Sequence, residues 1–443
     1  MSTTKSSFSS KIGLIMAAAG SAVGLGNIWK FPYIAGENGG GAFLVVYLVC
    51  VLLFGLPLIM TEFLIGKRSG KSAYGAFREL NGNDKWQWLS WVCMTTAFLI
   101  MGFYFVVTGW CFNYLAEACT NAFTHMDMQA MTGHFTAITT NTPRMIFFGV
   151  LPVLLTACVL WFDVNKGIER LSKILMPMLL VMMFLMAGRV LMLDNSNIGM
   201  QFFFRFDFSQ ITPSVVMEAM GQCFFSLSIG MGALITYGAY MPKTQNVTRT
   251  SIEVIILDTL VALLAGVIIF PAVFAFGFNP AEGPQLVFVV LPAILQQMSF
   301  AWLSSVLFFG LLCIAALTST ISLMEVAVAF LCEATEHRKH PLNRRKSVVI
   351  TSAIVIVLVL ACEFWKPLFD NFDNITACVL MPLGALGMSL FVGWRLPNNG
   401  QKGILHGEKT RIKRWARKTF IFVLRFIVPA AIIIIFLNSL GVL

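Results

Sequence analysis

Apolar residues along this chain gather in eleven long runs, approximately 12–36, 42–66, 88–116, 145–162, 168–191, 213–240, 251–277, 302–332, 347–363, 374–394 and 419–440. A helix needs about 20 mainly apolar residues to cross a bilayer, so each run predicts a membrane span. Several runs contain Gly or Pro, which lipid-embedded helices tolerate where neighbours or a cavity satisfy the freed backbone. The first and sixth runs are interrupted by GSAVGLGN (Gly20 to Asn27) and FFSLSIGMG (Phe224 to Gly232). Close packing through small residues accounts for G-x-x-x-G spacing. It does not account for Ser, Asn and Gly gathering at one depth in two runs. Gly-interrupted spans at corresponding positions of two halves point to a transporter site. The expectation is an all-α integral membrane protein: a five-plus-five inverted repeat with broken helices 1 and 6, plus one extra C-terminal span. Its divisions are the N-terminus and first repeat (1–191), the inverted second repeat (192–394), and a basic loop with the eleventh span (395–443).

Composition agrees, with 58% hydrophobic residues, 12% charged residues and a mean hydropathy of +0.80. A soluble domain carries roughly 25% charged residues, so a soluble enzyme, a disordered chain and a nucleic-acid binder all fit poorly. The formal charge of +10 is a topology signal. With the N-terminus inside, 25 of the 31 Lys and Arg fall in inside segments, four outside and two within spans, as the positive-inside rule requires. This places the protein in the cell (inner) membrane, with a cytoplasmic N-terminus and an extracellular or periplasmic C-terminus. The tract from Arg411 to Lys418 reads as a stop on translocation, with lipid binding as the alternative. The polar start MSTTKSSFSSK and the long first run do not resemble a cleavable signal peptide. The ten cysteines form no C-x-x-C pair, and all five histidines (125, 134, 337, 340, 406) fall in loops. A buried His relay and the commonest zinc ligand are thus missing from the membrane interior.

A charge at the bilayer centre costs at least about 2.5 kcal/mol on insertion scales and marks a functional candidate. Lys30, Glu62, Glu218, Asp258 and Glu325 are such residues. Asp258 is deepest, in LDTLVALLAG, and needs a cation or a proton. Glu62 and Glu325 suit a structural role, accepting hydrogen bonds from unwound backbone N–H groups. Thr318 and Ser319, in ALTSTIS, place hydroxyls at a depth that suits a hard cation; bonding to their own i−4 carbonyls is the competing reading. Gly167 and Pro177 bracket the inner end of the fifth run. Unwinding and a static kink both fit that pair.

The segments AAAGSAVGLGNIWKFPYIAGENGGGAF and GQCFFSLSIGMGALITYGAY closely resemble the first and sixth spans of the neurotransmitter:sodium symporter family, in its bacterial amino-acid branch. DTLVALLAG, LTSTIS and PLGALG resemble its seventh, eighth and tenth spans. The resemblance implies two sodium sites. One uses the Ala22 carbonyl, Asn27, Ser226 and Asp258 with the substrate carboxylate. The other uses carbonyls of Gly20, Val23 and Ala315 with the hydroxyls of Thr318 and Ser319. The substrate carboxylate is expected to meet the Leu25 and Gly26 amides and the Tyr104 hydroxyl, and its ammonium the backbone around Phe225 and Ser226. Its side chain is expected among Ile100, Phe225, Ser228, Met231, Ser319 and Leu323. Tyr104 and Phe225 are implied as a lid, Lys30 and Asp373 as the outer gate, and Lys5, Phe8, Tyr240 and Glu333 as the inner closure. The Gly167/Pro177 pair matches a motif that lets the fifth span unwind to release sodium.

This chain departs from the family pattern at several of these positions. Lys30 stands where Arg is frequent, so the outer gate becomes a point-charge contact. Ser226 replaces a common Thr and keeps its hydroxyl. Lys5, Phe8 and Glu333 stand where Arg, Trp and Asp are common. Asp258 replaces a frequent Asn, in a region (Tyr47, Gln222, Ser226 and position 258) where animal members use chloride. A fixed carboxylate there implies that no chloride is needed. Ala262 lacks the Glu that some chloride-independent relatives carry. Gly24 lacks the Asp of monoamine carriers, so the substrate brings its own carboxylate. Met231 can repack around bulky groups, which favours hydrophobic or aromatic L-amino acids. The chain thus reads as a sodium-coupled amino-acid symporter working by alternating access, not as an enzyme. A channel or a non-transporting amino-acid sensor on the same fold is the alternative. Its expected partners are the amino-acid substrate and the lipid bilayer, with no nucleic acid, and the sequence assigns no oligomeric state.

Overall fold

The structure, a computed structural model, describes residues 7–82, 84–124, 126–280, 285–336, 338–396 and 414–439. Among these residues the secondary structure is entirely helical. Nine helices there are long and apolar enough to cross a membrane. They are α2 (Gly41–Ser69), α3 (Gln87–Cys119), α4 (Thr142–Leu160), α5 (Lys166–Leu191), α7 (Val247–Ala275), α8 (Ala301–Ala334), α9 (Arg344–Phe364), α10 (Lys366–Arg395) and α11 (Arg417–Leu437). A tenth crossing is the bent pair α1a (Lys11–Ala22) and α1b (Gly26–Glu37), which meet at 46°. The sixth run folds as α6a (Pro213–Ser226) and α6b (Ala233–Ala239). Each is too short to cross alone, so a total of eleven requires reading them as one interrupted crossing.

Hydropathy misplaced one start. α10 begins at Lys366 rather than 374, because its first turns are amphipathic. Leu368, Phe369 and Phe372 pack inward while Asp370 faces out. His134 also lies on a helix (Met128–Thr140) between α3 and α4, not in an irregular loop. Its Nε2 sits 2.7 Å from Glu117 Oε2 on α3, and Arg144 on α4 donates to the same carboxylate.

Both interruptions have local causes. Val23 leaves the helix with extended backbone (φ −72°, ψ 105°). At Gly24 a Cβ would fall 2.3 Å from Ser319 Oγ and 2.7 Å from Tyr104 Oη. In the second break Ser228, Gly230 and Gly232 all have positive φ, at 54°, 92° and 79°. The Gly230 N–H donates to Glu62 Oε1 at 2.8 Å, so a buried carboxylate on α2 accepts a donor released by the break. α1a is surrounded by α5, α7 and α8, α6b lies along α2, and α8 lies along α3. The two breaks therefore sit in the middle of the bundle.

One end of the bundle is closed by the helix Leu286–Gln297. Its Phe288 ring meets Trp29, Trp110 and Tyr114 with centroids 5.5 to 6.4 Å apart. The Tyr114 hydroxyl donates to the Phe288 carbonyl at 2.7 Å. Such aromatic pairs contribute about 0.5–1.5 kcal/mol each beyond area burial.

Gly230→Ala is expected to destabilise the fold by about 1–3 kcal/mol, because φ is 92° and the new Cβ would lie 2.4 Å from the Met381 carbonyl oxygen. A lowered melting temperature of the detergent-solubilised protein checks this. An unchanged melting temperature contradicts the packing described.

Candidate functional site

Between the two breaks lies a cavity with about 20 Å³ of free space, room for roughly one water. Ala22 and Gly26 line it from α1, Phe225, Ser228 and Met231 from α6, Ile100 and Tyr104 from α3, and Ser319 and Leu323 from α8. Sequence reasoning named all of these and also singled out Gly24, which lines the cavity; Ser21 is the lining residue it did not name. Leu25 and Ser226 stand beside it. The Leu25 N–H donates to Tyr104 Oη at 3.0 Å. Ser228 Oγ donates to the Ser21 carbonyl at 2.8 Å, which ties the two breaks together.

On one side of this cavity Asp258 is completely buried. Its carboxylate accepts from Asn27 Nδ2 at 2.8 Å, from Ser226 Oγ at 3.0 and 3.1 Å and from Tyr47 Oη at 3.4 Å. Among the described residues no Lys or Arg pairs with it. A buried carboxylate without a counter-charge is strongly disfavoured, so this oxygen-rich cluster suits a hard monovalent cation or a proton. Gln222 Nε2 donates to the Gly26 carbonyl at 2.7 Å.

On the other side Ser319 Oγ reaches the Gly20 and Val23 carbonyls, at 3.4 Å each. Thr318 Oγ1 donates to the Ile314 carbonyl at 3.1 Å and the Ala315 carbonyl at 3.0 Å. Gly20 faces Thr318 so closely that a Cβ would lie 3.1 Å from Thr318 Cβ. All five expected groups of the second cation site are thus neighbours. Thr318 satisfies its own helix, whereas Ser319 spans to the break in α1.

Both ends of the cavity are closed. Lys30 Nζ lies 3.0 and 3.3 Å from the Asp373 carboxylate oxygens. It also lies 4.5 Å from the centroid of Phe225, which lines the cavity. At the opposite end the Phe8 N–H donates to the Tyr240 carbonyl at 3.0 Å, and the Phe8 ring packs edge-on to Tyr237 and Tyr240. Lys5 lies outside the described residues. Glu333 accepts from the Ser72 N–H at 2.7 Å and the Ser72 hydroxyl at 2.8 Å.

Glu325 departs from expectation. It does not accept unwound backbone donors, as Glu62 does. Instead it takes a bidentate pair from Arg344 at 2.8 and 2.7 Å and the Tyr240 hydroxyl at 2.8 Å. Arg344 is also bonded to the carbonyls of Leu160 and Phe162, so a residue counted only as a topology signal locks α4, α6b, α8 and α9 together. Nineteen residues separate it from Glu325, and no sequence spacing reveals the pair.

Glu169 was also missed. It accepts from the Ser9 N–H (2.7 Å), Ser9 Oγ (2.7 Å), Ser10 Oγ (2.8 Å) and Lys173 Nζ (2.6 Å). It sits in a wide π-type turn, Asn165–Glu169, that includes Gly167. The N-terminal segment is therefore clamped to the start of α5. The Gly167–Pro177 stretch is wound in this structure, with Pro177 inside the helix.

An all-helical membrane protein with two interrupted helices around an enclosed cavity is the architecture of a transporter. Residues 5–142 and 139–442 match the Sodium:neurotransmitter symporter family, and the chain belongs to this family of transporters, which are not enzymes. It is 37% identical to an uncharacterized sodium-dependent transporter, YhdH, of Bacillus subtilis (strain 168), over 98% of each chain. It is 26% identical to the sodium- and chloride-dependent GABA transporter 2 of Homo sapiens, over 87% of this chain and 72% of that one. Its fold superposes on a crystal structure of MhsT in complex with L-phenylalanine with a TM-score of 0.90, at 38% identity, covering 98% of this chain and 99% of the other.

Arg344→Ala leaves Glu325 buried and unpaired, and is expected to cost about 3–5 kcal/mol. Arg344→Met combined with Glu325→Gln should recover much of that loss. Melting temperatures of the three proteins test this, and equal losses in single and double variants contradict a direct pair.

Proposed function

We propose that this protein is a sodium-coupled symporter that imports hydrophobic or aromatic L-amino acids by alternating access, without requiring chloride. The single observation that carries the reading is Asp258, fully buried beside the substrate cavity with hydrogen-bond donors but, among the described residues, no cationic side chain. A sodium ion held by Asp258, Asn27, Ser226 and the Ala22 carbonyl supplies the missing charge. A second is held by Gly20, Val23, Ala315, Thr318 and Ser319. The donors that would cradle an anion, Tyr47 and Ser226, are already turned onto the Asp258 carboxylate, which supports chloride independence.

The substrate's own carboxylate replaces the acid that Gly24 lacks, where a Cβ already has no room. It meets the Leu25 and Gly26 amides and Tyr104. The apolar lining and the flexible Met231 suit bulky side chains, and the related MhsT was crystallised with L-phenylalanine. Phe225 and Tyr104 serve as the lid, Lys30 and Asp373 as the outer gate, and Phe8, Tyr240 and Glu333, with Lys5, as the inner one. Unwinding between Gly167 and Pro177 opens the inner side. The N-terminus lies in the cytoplasm and the C-terminus outside, with repeats over 1–191 and 192–394 and a terminal unit over 395–443.

Uptake of labelled amino acids into proteoliposomes, with and without a sodium gradient, is the test; no sodium-driven uptake of any amino acid overturns the reading. Wild-type uptake should be equal in chloride and gluconate media. Asp258→Asn should raise the sodium concentration for half-maximal uptake by on the order of thirtyfold, the cost of about 2 kcal/mol for losing one partner of a buried charge pair. Chloride should partly restore this variant alone. Met231→Phe stiffens and narrows the pocket, and should shift competition against labelled substrate from Trp and Phe toward Leu and smaller side chains.

A further inference from the structure

Two adjoining cavities open where α4 ends and α9 begins, away from the substrate cavity, on the face that the Lys/Arg asymmetry assigns to the cytoplasm. The first, about 370 Å³, is lined by Trp161, Phe162, Asp163, Lys166 and Arg345, with Arg344 behind. The second, about 280 Å³, is lined by Trp161, Leu342, Arg345, Lys346, Val349 and Ile350. They share Trp161 and Arg345, so they form one groove with a polar half and an apolar half. Val349 and Ile350 are exposed on the outer surface of the first turns of α9. The Arg345 guanidinium lies 5.5 Å from the Trp161 ring centroid, an arrangement that holds its charge at the groove.

The charges in this groove are not balanced. Arg344 is consumed by Glu325 and by two carbonyls. Among the described residues that line the groove, Asp163 is the one acid beside Arg345, Lys346 and Lys166. Among the described residues neither Lys166 nor Lys346 makes a side-chain hydrogen bond or ion pair. Arg345 and Lys346 also stand in the first turn of α9, where the helix dipole disfavours cations. An anion relieves both penalties. A small soluble anion has no use for the apolar half, and a zwitterionic lipid brings a cation of its own.

We infer that this groove binds one anionic phospholipid, with its phosphate held by Arg345, Lys346 and Lys166 and an acyl chain laid along Val349 and Ile350. Basic pockets between transmembrane helices on the cytoplasmic side take such headgroups, and the inner leaflet supplies the ligand in place.

Contact quenching of tryptophan by acyl-brominated lipids tests this on the full-length protein in phosphatidylcholine vesicles, without any transport readout. Brominated phosphatidylglycerol should quench more than brominated phosphatidylcholine at equal content. The excess should vanish in Trp161→Phe, which removes the reporter. It should fall by about thirtyfold in Arg345→Gln/Lys346→Gln, since each of the two basic groups beside an anionic lipid contributes about 1 kcal/mol. Lys166→Gln should lose part of it. Arg338→Gln/Lys339→Gln, on the same connection but outside the groove, should keep it, and added inorganic phosphate should leave it intact. Equal quenching by the two lipids overturns the inference. So does an excess that survives Arg345→Gln/Lys346→Gln, is lost equally in Arg338→Gln/Lys339→Gln, or is abolished by inorganic phosphate.

Discussion

Opening a helix inside an apolar bundle frees backbone groups that lipid cannot satisfy, so every one of them has to be met by the protein or by a ligand. Two helices are opened at the same depth here, and the surrounding side chains are arranged around that demand. Glu62 takes the Gly230 N–H, Gln222 takes the Gly26 carbonyl, Ser228 takes the Ser21 carbonyl and Ser319 leans on Gly20 and Val23. Asp258 and Glu62 are both fully buried carboxylates without a Lys or Arg partner among the described residues, and Asp258 is the one that stands beside the cavity, hydrogen-bonded to Ser226 and Asn27. The Asp258 carboxylate thus stands, suited to a cation or a proton, beside a cavity whose apolar wall of Ile100, Phe225, Met231 and Leu323 is interrupted by Ser21, Tyr104, Ser228 and Ser319.

The two closures of that cavity differ in kind. Lys30 and Asp373 form a partly exposed pair, with side chains 12% and 28% accessible. The Lys30 ammonium also lies 4.5 Å from the Phe225 ring centroid, so one ion pair and one cation–π contact hold this end. At the other end Glu325 is fully buried in a bidentate pair with Arg344, and Glu169 clamps Ser9 and Ser10 to the start of α5. Separating those groups strands buried charge. The N-terminal segment, the wide turn at Gly167 and the Arg344 contact are thus tied into one buried set at that end, whereas the other end is held by the Lys30–Asp373 pair and the Phe225 ring.

Legibility in the sequence followed the range of the physics. Glycine clusters are local, and both breaks fell where GSAVGLGN and FFSLSIGMG placed them. A carboxylate inside an apolar run is equally local, which made Asp258 and Glu62 visible. The amphipathic start of α10 was lost because hydropathy averages over a window. Arg344, Glu169 and the Glu117–His134–Arg144 cluster went unseen for a different reason. Their partners come from other helices, and each residue alone looks like an ordinary interface charge.

The sequence by itself determined a membrane-embedded helical chain, the depth of its two breaks and the few acids that interrupt its apolar bulk. These follow from transfer energies and backbone preferences that each segment carries alone. Only the tertiary structure decided which groups meet. It gave Asp258 its donors but, among the described residues, no Lys or Arg, gave Glu325 an Arg344 that the loop charges had hidden, and stacked Arg345 on Trp161 at the mouth of a groove. Pairing of charges across helices depends on crossing geometry, and no spacing along a single chain encodes it.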